Sequence, residues 1–103
     1  MTESISVATS TSSLAEIATP NASRYLQQLC KHFAHKLPVS FDPHAGKIEF
    51  AVGECRLEAS ENILKISLFS PDASQLERLK DVVVRHLVRF AFREELHVNW
   101  RSV

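Results

Sequence analysis

His32 and His35 stand three residues apart in the stretch Arg24-Tyr25-Leu26-Gln27-Gln28-Leu29-Cys30-Lys31-His32-Phe33-Ala34-His35-Lys36-Leu37. Neutral imidazoles are good ligands for divalent transition metals and for haem iron, and on a helix residues three or four apart share a flank. Gln28, four residues before His32, falls on the same flank. Cys30 does not: at ~100° per residue it points roughly 160° away from His32, so one ion cannot take both from an unbroken helix. Two histidines are fewer than the three or four protein ligands of ordinary zinc sites. His86, at the edge of a second amphipathic segment, is the best third ligand if the two segments pack side by side. The expected metal set is therefore His32, His35 and His86. Read more plainly, the same three are a solvated helix pair and a hydrogen-bonded boundary histidine.

A second chemistry is suggested by cations. Arg24, Lys31, Lys36, Arg85, Arg89 and Arg93 can gather into a local basic surface, with Arg24, Gln28, Lys36 and Arg93 as candidate contacts for a small anion. Solvated helix faces paired with Glu77, Asp81 and Glu94 are the plainer account. No GxSxG, GxGxxG, P-loop or HExxH occurs, and two glycines cannot build a phosphate-cradling loop. An enzyme using a histidine as general base is the least supported reading.

The elements that must hold these residues follow from periodicity. Ala22, Tyr25, Leu26, Leu29, Phe33 and Leu37 form one apolar stripe of a helix over Thr19–Leu37, capped by Thr19 or Asn21 and stopped by Pro38. The period then switches to two. Val39 and Phe41, then Ile48, Phe50 and Val52, then Cys55, Leu57 and Ala59, then Leu64, Ile66 and Leu68 alternate with polar residues. Turns are expected at Pro43–Gly46, Gly53-Glu54 and Glu61-Asn62. They pair Phe41 with Ile48, Val52 with Cys55 and Ala59 with Leu64, leaving Glu49 opposite Glu58 on a wet face. Ser70-Pro71-Asp72 opens a second helix to about Phe92, with Ser70 as cap and Leu76, Leu79, Val83, Leu87 and Phe90 as its stripe. Val84, Val88 and Ala91 form a side patch open to the first helix or a second subunit. Leu96, Val98 and Trp100 make a last strand. Residues 14–18 are an optional short edge strand, and residues 1–13 a polar tail.

The fold expected is α+β, a two-layer sandwich of two helices on one face of a mostly antiparallel sheet of about five strands, in the order α-β-β-β-β-α-β. One domain over residues 14–103 accommodates it. Twelve basic and twelve acidic residues balance, which disfavours nonspecific nucleic-acid binding. No apolar run reaches ~20 residues, so no membrane span is expected. Without a signal-peptide pattern the expected location is cytoplasmic. Cys30 and Cys55 fall on apolar faces as reduced, small hydrophobes.

The run Arg24 to Lys36, with Gly53, Cys55-Arg56-Leu57-Glu58-Ala59, Phe90-Ala91-Phe92-Arg93-Glu94 and Trp100, resembles the small bacterial family catalogued as domain of unknown function 2218, over about residues 14 to 101. The resemblance implies a stand-alone protein without an assigned activity. Some related domains are joined to siderophore-interacting flavin reductases, which implies a role in iron or siderophore handling and such a reductase as partner. The chain has no flavin- or nicotinamide-binding segment, so reductase activity does not carry over. The function expected is a small binding module for a metal-containing or anionic ligand, monomeric or homodimeric, with a divalent metal or haem iron as cofactor. The alternative is a protein–protein interaction or dimerisation module with no ligand chemistry of its own.

Overall fold

In a computed structural model, described over residues 11–102, six strands form one antiparallel sheet in the order β2-β3-β4-β5-β1-β6. The strands are β1 (Thr11–Ala18), β2 (Val39–Phe41), β3 (Ala45–Phe50), β4 (Gly53–Ala59), β5 (Ile63–Ser70) and β6 (Arg101–Ser102). Two helices, α1 (Ala22–Phe33) and α2 (Ala73–Phe90), cover one face. The core is where the two periodicities meet. Tyr25, Leu26, Leu29 and Cys30 of α1 and Leu76, Leu79, Val83 and Leu87 of α2 are buried against Ile17, Ile48, Cys55, Leu57, Leu64, Ile66 and Leu68. Among the described residues no helix is long and apolar enough to cross a membrane.

The β4–β5 register is the expected one, with Ala59 opposite Leu64, Leu57 opposite Ile66 and Cys55 opposite Leu68. The other two hairpins keep their faces and move their turns. Ala51-Val52, not Gly53-Glu54, connects β3 to β4, so Ile48 lies opposite Cys55 and Phe50 opposite Gly53. The shift is even, hence no side chain changes face. Gly53 serves β4 itself: its φ of +153° and a Cβ that would sit 2.2 Å from the Phe69 carbonyl oxygen exclude other residues. In the first hairpin the Asp42 carboxylate accepts from the backbone N–H groups of His44 (2.7 Å) and Ala45 (2.9 Å). That tight turn sets Phe41 opposite Gly46 and Val39 opposite Ile48. A Cβ on Gly46 would lie 2.7 Å from Cys30 Sγ, so its absence lets α1 seat on β3. The acidic mismatch is Glu49 against Glu54 rather than Glu58, and Lys47 sits 3.7 Å and 3.9 Å from the two carboxylates.

Three boundaries also differ from expectation. The N-terminal strand begins at Thr11, so 11–13 are not tail, whereas residues 1–10 lie outside the described region. It is no edge either: β1 pairs along its whole length with β5 and lies between β5 and β6. Ser13 and Ala15 are buried but small, which is why their alternation is faint in the sequence. Leu96, Val98 and Trp100 pack half-buried against the core without a ladder, and pairing resumes only at Arg101–Ser102. Asp72, not Ser70, caps α2, accepting from the Gln75 N–H at 2.8 Å. Ser70 ends β5 and donates its hydroxyl to the Val52 carbonyl at 2.5 Å.

Leu57 is 1% exposed at the centre of the sheet, so Leu57→Ala should cost about 2–5 kcal/mol in urea titrations. Lys65, on the wet face, reaches Glu58 only at 3.9 Å with both side chains well exposed. Lys65→Ala should cost under about 0.5 kcal/mol. Equal losses would reverse the faces.

Candidate functional site

The residues that close the molecule at one end of α1 also shape a cleft. Tyr25 sits on the buried stripe of α1, 4% exposed, and a buried phenol needs a hydrogen-bond partner. It donates to the carboxylate of Glu94, four residues beyond the end of α2. Asn21 Nδ2 donates to the same carboxylate at 2.8 Å, and the Thr19 hydroxyl lies 3.0 Å and 3.1 Å from its two oxygens. Thr19 Oγ1 in turn accepts from the Asn21 N–H at 3.1 Å. Asn21 is thus the N-cap residue of α1 by position, but its side chain is committed to Glu94 instead of the helix. The hydrogen bonds from Tyr25, Asn21 and Thr19 hold the Glu94 carboxyl below its ordinary range, against the desolvation that would raise it. Burial, with Glu94 beside it, pushes the Tyr25 phenol up.

Beside this clamp lies a cleft of about 410 Å³ lined by Asn21, Arg24, Tyr25 and Gln28 from the α1 side and Phe90, Phe92 and Arg93 from the end of α2. Arg24, Gln28 and Arg93, expected as anion contacts, meet there. Lys36 does not: it lies in the turn after α1, which ends at Phe33 because the chain tightens, Lys36 N–H to the Phe33 carbonyl (3.1 Å), before Pro38. Neither Arg24 nor Arg93 has a carboxylate partner among the described residues; Arg93 lies over the Phe92 ring at 5.3 Å. The aromatic walls and the Glu94 clamp were not singled out from the sequence. Their signal was there, in a polar-tipped aromatic on a buried stripe and in Phe90-Ala91-Phe92-Arg93-Glu94 just past a helix end.

Of the expected metal ligands, the structure brings two together. The rings of His32 and His86 stand 4.8 Å apart, tilted by 45°. Phe33 lies 4.9 Å from His32 and 4.8 Å from His86, and Phe90 lies 5.8 Å from His32. His35 falls beyond the helix end, in the turn at residues 34–36, and no ring contact joins it to His32 or His86 among the described residues. Among the described residues no three His, Cys, Asp or Glu side chains are grouped to hold a metal ion. The three-histidine centre is therefore not assembled. Cys30 and Cys55 are both free and buried, and burial pushes the Cys30 thiol up to about 11 and Cys55 higher still, so neither offers a thiolate.

The fold and site together define an α+β two-layer sandwich with a cation-flanked cleft between its helices. The family described as an uncharacterized protein conserved in bacteria (DUF2218) matches residues 14–101, and the chain belongs to it. The NMR structure of PA4090 from Pseudomonas aeruginosa is similar, at 36% identity and a TM-score of 0.75, covering 88% of this chain and 95% of that one. No curated protein matches the chain.

Acid should act on the helix pair in two windows. Partial desolvation of its exposed ring first, then the nearby charges of His86, His35, Arg89 and Lys36, hold His32 below its ordinary value of 6.5. The unfolded chain therefore takes up this proton first, and stability falls as pH drops through about 6.5 toward the lower folded value. Glu94, also depressed, contributes stability that is present above 4.5 and is lost as pH falls below it; Asp42 behaves likewise through its turn hydrogen bonds. In urea titrations from pH 7.5 to 3.5, His32→Gln should flatten the upper slope only. Glu94→Gln should reduce the lower slope and leave the upper one. Identical profiles for both variants and the unaltered protein would remove both assignments.

Proposed function

We propose that the chain is a binding module for a small organic anion with a planar portion, held in the cleft between α1 and the end of α2. The observation that carries this is the pairing of two guanidiniums lacking carboxylate partners, Arg24 and Arg93, across a concavity walled by Phe90 and Phe92. Guanidinium forks match carboxylate or phosphate oxygens, and aromatic walls match a flat ring. Gln28 adds an amide able to donate or accept. Glu94 forms no ion pair with either arginine, since its oxygens accept from Thr19, Asn21 and Tyr25. Iron or siderophore handling is the proposed setting, because the family resemblance implies relatives joined to siderophore-interacting reductases, and catecholate iron chelators are planar anions. Calorimetry with 2,3-dihydroxybenzoate, its ferric complex, phenyl phosphate and uncharged benzamide tests this. At least one anion should bind, benzamide should not, and Arg24→Ala and Arg93→Ala should each weaken binding roughly 10-fold or more. Equal binding of benzamide, or indifference to both arginines, would sink the reading.

A second reading, an interaction module that self-associates or docks on a reductase, is favoured by one exposed apolar patch. Phe92 is 76% and Val88 52% exposed, and with Leu96 they line a groove of about 490 Å³. The patch differs from the expected one: Ala91 is buried and Val84 half-buried. On this reading sedimentation shows a dimer at high micromolar concentration that Val88→Glu converts to monomer with helicity intact. A monomer in the unaltered protein removes self-association.

A further inference from the structure

The groove between the helices has a second end, distinct from the cleft. We propose that His32 and His86 form a two-imidazole site for a first-row divalent metal ion, nickel or copper above all, that arrives as an anionic chelate with two adjacent coordination positions open.

The geometry fits a single shared ion. With metal–nitrogen bonds of ~2.0–2.1 Å and ring centres ~1.1 Å behind the nitrogens, two imidazoles on one ion place their centroids about 4.4–5.1 Å apart for bond angles of about 90° to 109°. The observed 4.8 Å lies inside that range. The tautomer is set as well. His86 Nδ1 lies 2.7 Å from the Val82 carbonyl oxygen, an acceptor, so Nδ1 carries the proton and Nε2 keeps its lone pair for a metal. A ring N–H anchored on a backbone carbonyl is how metal-binding histidines are commonly held. His32 is exposed, and neither of its ring nitrogens has a hydrogen-bond partner among the described residues. Phe33 packs edge-on against both rings and itself rests on Phe50 at 4.9 Å, so the two rings are brought together by packing on the core.

Charge selects the form of the metal. Arg89 on α2 and Lys36 just after α1 both lie close enough for their charges to be felt at His32. No carboxylate joins the imidazoles, since no three His, Cys, Asp or Glu side chains are grouped for a metal among the described residues. A bare dication meets repulsion there. A metal whose other positions are filled by carboxylates meets attraction, and it needs only the two neighbouring positions that His32 and His86 occupy.

Nickel(II) nitrilotriacetate, an anionic chelate with two adjacent open positions, is the direct probe, used in calorimetry on protein free of any histidine tag. One equivalent should bind with Kd of ~10 μM or tighter. His32→Ala and His86→Ala should each weaken it at least 10-fold, while His35→Ala and His44→Ala should change it less than 3-fold. His32 is exposed, so His32→Ala carries the test even where His86→Ala loosens the helix pair. In proton NMR the paramagnetic probe should broaden the His32 and His86 ring signals first. Absence of saturable binding below ~100 μM, or equal losses for His35→Ala and His32→Ala, would overturn the site. So would first broadening at His44 or His97.

Discussion

The Glu94 carboxylate is the tie on which the arrangement of the two helices depends. Its partners, Thr19, Asn21 and Tyr25, lie 75, 73 and 69 residues away in the chain, at the junction of β1 and α1. Apolar burial alone holds a helix on a sheet but leaves it free to slide, because the hydrophobic effect has no direction. Charge-assisted hydrogen bonds do have direction, and a partly buried carboxylate left without them would be costly. The start of α1 is thereby fixed beside the end of α2, and the helices run antiparallel. As α1 advances from Arg24 to His32, the residues facing it recede from Arg93, just past the end of α2, to His86 within it.

That antiparallel groove sorts its chemistry along its length. Guanidiniums and an amide occupy the end nearest Glu94, and imidazoles occupy the other. Phe90 stands between, lining the cleft and lying 5.8 Å from the His32 ring. Phe33 of α1, resting on Phe50 of β3, backs the imidazole end, which ties that end of the groove to the core.

The parts that were legible in the sequence are those governed by strict periodicity. Helix stripes and strand faces depend on positions every 3.6 or two residues, and Leu26, Leu29, Leu57, Leu79 and Leu87 are buried as that pattern requires. Turn positions were less legible, because Gly53 reads equally as a turn centre and as a strand glycine facing a close carbonyl; only the Phe69 backbone, supplied by β5, decides. β1 was faint because Ser13 and Ala15 are small. In the candidate site, Arg24, Gln28 and Arg93 could be placed on the right helix ends, but the Glu94 clamp joins residues about seventy positions apart and leaves no local periodicity. His35 is on the same regular helix face as His32 only if α1 runs through it, and α1 ends at Phe33.

A neutral chain can still present a cationic cleft, because composition averages over charges that cancel locally. Lys80 pairs with Glu77 at 2.9 Å, Arg85 with Asp81 at 3.0 Å, Arg101 with Glu16 at 3.0 Å, and Arg56 with Glu54. Glu94 is spent on hydrogen-bond donors that carry no charge of their own. An acid neutralised by cations removes a cation from the surface, whereas an acid satisfied by Tyr25, Asn21 and Thr19 removes none. Arg24 and Arg93, lying close to that acid in the fold, therefore keep their donors free for oxygens from outside. The interaction that positions the cleft is thus also the reason neither guanidinium is drawn into an ion pair with Glu94.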